Sequence, residues 1–214
     1  MVSYSKKEDF LNTLTHYVGL GILSLILIPL IYSFIKSGQT YKALAFTVYY
    51  LSQGLMFLAS SLYHGAKDLG KRKALRVLDH CAIPICIGGT YTPIVLLGLE
   101  GRLPKVILGL VWVLALLAVI MDLYYSTRAK PLWAERLSIG TYLLMGWLSL
   151  FMVKPIVSQL DWGLFFFMLG GGLAYSLGVV FYRVKKIPYN HAIWHVFIIV
   201  ANFSMLAGII KYLA

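Results

Sequence analysis

Charged residues are scarce in this 214-residue chain. They make up 13% of it, and only 8 residues are acidic, where a soluble domain carries roughly 25% charged residues. With 60% hydrophobic residues and a mean hydropathy of +0.80, too little polar surface exists to coat a water-soluble fold of this size. Cysteine is nearly absent as well. Cys81 and Cys86 stand five apart in one apolar run, on different helical faces, which excludes a disulfide between them and leaves the redox compartment open. Internal repeats, low-complexity tracts and linkers are missing, so a second domain has no place. A signal-peptide cleavage site is absent too: the run after Lys6 and Lys7 continues from about Tyr17 to Ile35 and reads as a retained first helix.

What the chain has instead is seven apolar runs, at 17–35, 43–63, 78–97, 103–122, 137–153, 162–182 and 190–212. Each is near the about 20 residues that a membrane crossing needs. The expectation is an all-α membrane protein, a seven-transmembrane-helix bundle filling 1–214 as a single domain, multi-pass in the cell inner (plasma) membrane. The breaks carry turn residues, such as Ser37-Gly38, Gly101 with Pro104, and Lys130-Pro131. A formal net charge of +11 raises the question of nucleic acid. The cations lie between the apolar runs, however, where lipid headgroups and topology account for them, and no nucleic-acid partner is expected.

Those cations also orient the bundle. One side holds Lys6, Lys7, Lys67, Lys71, Arg72, Lys73, Arg76, Arg128, Lys130, Arg136, Arg183, Lys185 and Lys186. The other holds Lys36, Lys42, Arg102, Lys105, Lys154 and Lys211. The positive-inside rule then puts the N-terminus in the cytoplasm and the C-terminus outside.

Ionisable groups inside spanning segments are expensive and call for a partner or a function. Here they collect at one depth. His64 ends the second run, Asp79-His80 opens the third, and His191 and His195 open the seventh. His191 and His195 stand four apart, on one helical face. With His64 they make a three-histidine set that leaves a fourth tetrahedral position for water, the form of a catalytic rather than a closed structural zinc site. Zinc brings the pKa of its water to about 7. Asp79 is placed to act as general base and Ser60, one turn deeper than His64, to hydrogen-bond the water or an oxyanion. A packed, hydrogen-bonded histidine pair is the plainer account of His191 and His195 alone, and a helix-gluing hydroxyl that of Ser60. His80 is expected to face elsewhere, since neighbours on a helix point about 100 degrees apart. Glu8, Asn12 and His16, at spacings of four, read either as a polar stripe closing the cytoplasmic mouth or, more simply, as an interfacial helix start. Pro84 and Pro93 are expected to distort the third helix. Gly170-Gly171-Gly172 suits close helix packing or a lipid slot, packing being the simpler.

Ser60-x-x-x-His64, Leu78-Asp79-His80-x-x-Ile83, Gly89-Thr90-Tyr91-Thr92-Pro93, His191-x-x-x-His195 followed by Val196-Phe197, and Asn12-x-x-x-His16 resemble the hemolysin III family. That family is the bacterial branch of the progestin and adipoQ receptor superfamily, which includes the adiponectin receptors. The resemblance covers essentially the whole chain. It implies seven helices, a cytoplasmic N-terminus and Zn2+ on His64, His191 and His195, with Asp79 reaching the metal through water and Ser60 nearby. The superfamily is also similar to alkaline ceramidases, which implies hydrolysis of a membrane-lipid amide or ester at the inner leaflet. The long cytoplasmic N-terminal region of the animal receptors has no counterpart here, so hormone signalling is not carried over. Three functions compete: a zinc-dependent lipid hydrolase, a non-enzymatic membrane-homeostasis or receptor-like protein with structural zinc, and a pore-forming cytolysin. The sequence specifies neither substrate nor oligomeric state.

Overall fold

The Ser5 hydroxyl accepts from the Glu8 amide (3.2 Å) while the Glu8 carboxylate accepts from the Ser5 amide (2.8 Å). This capping box starts the first helix at Lys6, well before its apolar run begins. The computed structural model describes residues 4–128, 130–184 and 186–214; Lys185, one of the cations used to orient the bundle, lies outside them. The helices are α1 (Lys6–Lys36), α2 (Thr40–Gly65), α3 (Leu69–Gly98), α4 (Arg102–Tyr124), α5 (Leu132–Trp147), α6 (Val153–Gln159), α7 (Trp162–Arg183) and α8 (Asn190–Leu213). A 3₁₀ turn, Leu148–Met152, joins α5 to α6. Among the described residues there is no strand, and seven helical stretches are long and apolar enough to cross a membrane, the fifth being Leu132–Gln159.

All seven expected spans are present, and the differences lie at their ends. α1 and α3 reach back to Lys6 and Leu69 rather than to 17 and 78. Their first turns are polar, so hydropathy assigns them to loops, yet side chains satisfy their free amides: the capping box in α1, and in α3 the Asp68 carboxylate, which accepts from the Lys71 amide at 2.8 Å. α3 runs unbroken through Pro84 and Pro93.

α3 is the hub, touching α2, α4, α5 and α8, while α1 packs on α2 and α8, and α7 on α8. Lipid tails are as apolar as a protein core, so association here rests on close packing and buried hydrogen bonds rather than on water exclusion. Phe46, Tyr49 and Phe57 of α2 are fully buried. Gly89 of α3 lies so near α2 that a Cβ there would stand 1.7 Å from the Ser52 hydroxyl. Within the Gly170–172 triplet, Gly171 is the packing position: its absent Cβ would sit 2.6 Å from Met205 and 3.0 Å from the Ala201 carbonyl of α8. Gly172 instead borders an internal cavity. Halfway along the bundle, the Gln53 amide donates to the Cys86 carbonyl (2.9 Å) and the Thr90 hydroxyl (3.1 Å), and its oxygen accepts from Asn202 and the Cys86 thiol. This network ties α2, α3 and α8 together. Both cysteines are free thiols. Outward, large apolar side chains such as Leu25 and Phe151 are exposed (78% and 68%), as a lipid-facing surface requires.

Candidate metal centre

The chain's up-and-down path brings the start of α1, the end of α2 and the starts of α3 and α8 to one end of the bundle, the cation-rich one. Local interactions then set each side chain. His64 sits in the last turn of α2, next to Ser61, whose hydroxyl donates to the Thr13 carbonyl of α1 (3.2 Å). α8 begins after Tyr189, whose φ of 57° turns the chain sharply. Its first residue, Asn190, donates to the Phe181 and Tyr182 carbonyls at the end of α7 (3.1 and 3.2 Å), fixing the turn that carries His191.

His64, His191 and His195 come together, with one ring nitrogen of each within 4.8 Å of the others. The Nε2 atoms of His64 and His191 are 3.0 Å apart. Two nitrogens on one tetrahedral zinc, each at about 2.0–2.1 Å, stand roughly 3.3 Å apart, so this pair needs to open by only a few tenths of an ångström. The three residues are 2%, 8% and 2% exposed.

The far sides of two rings support a metal. His195 Nδ1 donates to the Asn12 carbonyl (3.1 Å), with the Thr15 hydroxyl 3.2 Å away. His64 Nδ1 faces the Asp9 carboxylate at 3.2 Å, with the Asn12 amide at a longer 3.4 Å. A proton held on Nδ1 leaves the Nε2 lone pair facing inward, the tautomer that binds a metal. The donor set therefore fits a divalent ion such as zinc.

Ser60, 2% exposed, and half-buried Asp79 lie within electrostatic reach of each other and line a cavity together with His191 and His195. The cavity holds about 220 Å³ and continues between α3, α5, α7 and α8 past Ile83, Leu143, Met168 and Phe165. His80 is not part of the three-histidine cluster and lies within electrostatic reach of Asp122 and Lys130, but it lines the same cavity rather than facing away from it. Tyr4 closes the site from the chain's N-terminal side, its ring 5.0 Å from that of His191 and 5.4 Å from that of His64. Burial pushes the Tyr4 phenol above its usual pKa, so it remains a neutral hydrogen-bond donor.

The polar stripe on α1 resolves differently from either expectation. Glu8 is a helix cap at the surface, but Asn12 and His16 are buried (0% and 1% exposed). His16 stacks on His195 with centroids 3.8 Å apart. The stripe that faces the site is Asp9, Asn12 and His16.

The amino-acid profile described as "Haemolysin-III related" matches residues 4–206. The chain belongs to that family. It is 37% identical to Hemolysin-3 of Bacillus cereus over 207 residues, 96% of this chain and 92% of that one. It is 34% identical to the Hemolysin-3 homolog of Bacillus subtilis (strain 168), over 98% of this chain and 96% of the relative. A more distant likeness, 29% over 185 residues, links it to the human Monocyte to macrophage differentiation factor, covering 83% of this chain and 74% of that protein. Membership in the family, with seven apolar helices, makes this a multi-pass membrane protein whose histidine cluster can hold a metal.

Three features escaped the sequence reading. Asp9 lies three residues before Asn12 on the same helical face, a spacing that points to it once α1 is begun at Lys6. Asp122 looked like the last residue of a span, yet it is 6% exposed and binds Lys130 (2.5 Å) and Tyr142 (3.0 Å). The Gln53–Asn202 link lies between helices far apart in sequence, and no local spacing signals it.

Proposed function

We propose that this protein is a zinc-dependent hydrolase of a membrane-lipid amide or ester, working as one seven-helix domain from the inner leaflet of the cell membrane with its N-terminus in the cytoplasm. The observation that carries the reading is the position of the three-histidine cluster at the polar end of an apolar cavity, beside the Asp79–Ser60 pair. The cavity's apolar walls suit an acyl chain, which would lead the carbonyl to these five polar groups.

His64, His191 and His195 would hold the ion, which when bound supplies Lewis-acid activation of water and of the substrate carbonyl. Asp79 takes a proton from the attacking water as its oxygen bonds to the acyl carbon. Asp79 then gives that proton to the leaving nitrogen or oxygen as the acyl bond breaks, so a carboxylate and an amine or alcohol leave the site. Ser60 donates to the carbonyl oxygen as charge develops there. Tyr4, packed against the His64 and His191 rings, and the His16 ring stacked on His195 keep bulk water from the far side of the cluster.

The test is Asp79→Asn in purified protein, measuring zinc content and turnover of mixed ceramides and phospholipids. The expected result is near-normal zinc with turnover lost. If zinc and turnover both survive, the general-base role is wrong. If wild-type zinc-loaded protein turns over none of these lipids, a non-enzymatic role with a structural metal takes its place. The name of the Bacillus cereus relative, Hemolysin-3, favours a cytolysin as the other reading; reproducible single-channel conductance in planar bilayers would support that reading over hydrolysis.

A further inference from the structure

We infer that Asp9, clamped by Arg72, is the positioning carboxylate of the metal centre: it fixes the tautomer and ring orientation of His64, so that metal affinity depends on an ion pair outside the ligand set. The inference rests on the metal reading above and is independent of whether the protein hydrolyses lipid.

Asp9 comes from α1, His64 from α2 and Arg72 from α3, so three helices meet in one chain of contacts. Arg72 grips Asp9 with both arms of its guanidinium, NH1 to Oδ2 at 2.9 Å and NH2 to Oδ1 at 2.7 Å. Oδ1 is also the atom 3.2 Å from His64 Nδ1. Arg72 is held in turn: its guanidinium lies 5.2 Å from the centre of the Tyr63 ring and NH1 donates to the Ala66 carbonyl (3.4 Å). A bidentate arginine–carboxylate pair has a fixed geometry, unlike a lysine pair. Asp9 is therefore presented to His64 in one orientation. A carboxylate accepts only, so the imidazole proton stays on Nδ1 and the bare Nε2 is aimed at the Nε2 of His191, 3.0 Å away. With a neutral amide in place of Asp9 that preference for one tautomer is lost. Partners of this kind change metal affinity by about 10–100-fold when removed.

Asp9 does more here than join α1 to α3. A purely structural ion pair would affect unfolding and leave the affinity of the folded protein alone. The comparison is available within the same chain, because Asp122 and Lys130 form a second ion pair whose further hydrogen bonds go to Tyr142 and Ser138 rather than to His64.

The experiment measures Zn2+ affinity of the full chain in detergent by competition with a chromophoric chelator, alongside the unfolding temperature of the metal-free protein. Asp9→Asn is expected to weaken zinc binding about 10–100-fold. Arg72→Gln, which leaves Asp9 in place but unclamped, should weaken it by less. The double variant should be no weaker than Asp9→Asn alone, because Arg72 acts through Asp9. Asp122→Asn should lower the unfolding temperature and leave zinc affinity within about twofold of wild type. In the Co2+-loaded protein, Asp9→Asn should alter the visible absorption bands while Asp122→Asn does not. Unchanged zinc affinity in both Asp9→Asn and Arg72→Gln overturns the inference, as does an equal loss in Asp122→Asn. If Asp9→Asn does not fold, Arg72→Gln decides alone. Failure of the wild-type protein to bind Zn2+ stoichiometrically removes the metal reading itself, and this inference with it.

Discussion

Replacing Gly89 by alanine tests the contact on which the relative placement of His64, Ser60 and Asp79 depends. The new methyl would lie 1.7 Å from the Ser52 Oγ and 2.5 Å from its Cβ. A change of Ser52 rotamer relieves the first clash at the expense of the bond from Oγ to the Tyr49 carbonyl (2.8 Å). It does nothing for the second, because Cβ does not move with the side-chain torsion. Carbon atoms in contact need about 3.5–4.0 Å, so α2 and α3 must separate by roughly 1 Å. A helix displacement of that size belongs at the upper end of what overpacking costs, about 2–3 kcal/mol, less the roughly 1 kcal/mol that alanine gains over glycine inside a helix. The expected net loss is about 1–2 kcal/mol, a drop of several degrees in the unfolding temperature for a chain of this size. Thermal unfolding of detergent-solubilised protein, followed by size exclusion, reads this out.

The companion variant makes the reasoning specific. Ser52→Gly removes both clashing atoms, and the next contact, the Val48 carbonyl at 3.6 Å, is ordinary. Ser52→Gly combined with Gly89→Ala should therefore return to within about 1 kcal/mol of wild type, because the two helix-propensity changes nearly cancel. The same spacing sets how Ser60 meets Asp79, so the single variant should also lose more lipid turnover than zinc. A wild-type unfolding temperature in Gly89→Ala, or no recovery in the double variant, would refute this account of how α2 and α3 meet.

Two further outcomes are expected. His195→Ala should remove stoichiometric zinc: if four ligands share about 10–16 kcal/mol, one imidazole is worth roughly 3 kcal/mol, a loss of about 100-fold or more, whereas His80→Ala should retain the metal; elemental analysis of the purified variants checks both. Topology reporters should place the N-terminus in the cytoplasm and the C-terminus outside, seen as alkaline phosphatase activity, with no green fluorescence, when each reporter is fused after Ala214.

The seven spans were legible because a membrane crossing imposes one crude rule, about 20 apolar residues in a row, and each of these helices obeys it. The three-histidine cluster was legible for a related reason. A histidine in such a segment is rare enough to stand out, and spacing four puts His191 and His195 on one face without any knowledge of the fold. What supports the triad was hidden by the same rule. Asp9, Asn12 and His16 continue into Gly19, Leu23 and Leu27 as one buried face of α1 at spacings of three and four. A hydropathy window, however, rejects the turn containing Lys6, Lys7, Glu8 and Asp9 and begins the helix at Tyr17. Half of the face then looks like loop, and Glu8, which caps the helix at the surface, is grouped with residues that face the histidine cluster. The cap in Ser5-x-x-Glu8 was the available signal, because a capping box marks a helix start whatever the hydropathy of the turn behind it. For a membrane bundle, reading caps before hydropathy recovers the polar first turns, and it is in those turns that the residues holding His64 and His195 from behind are found.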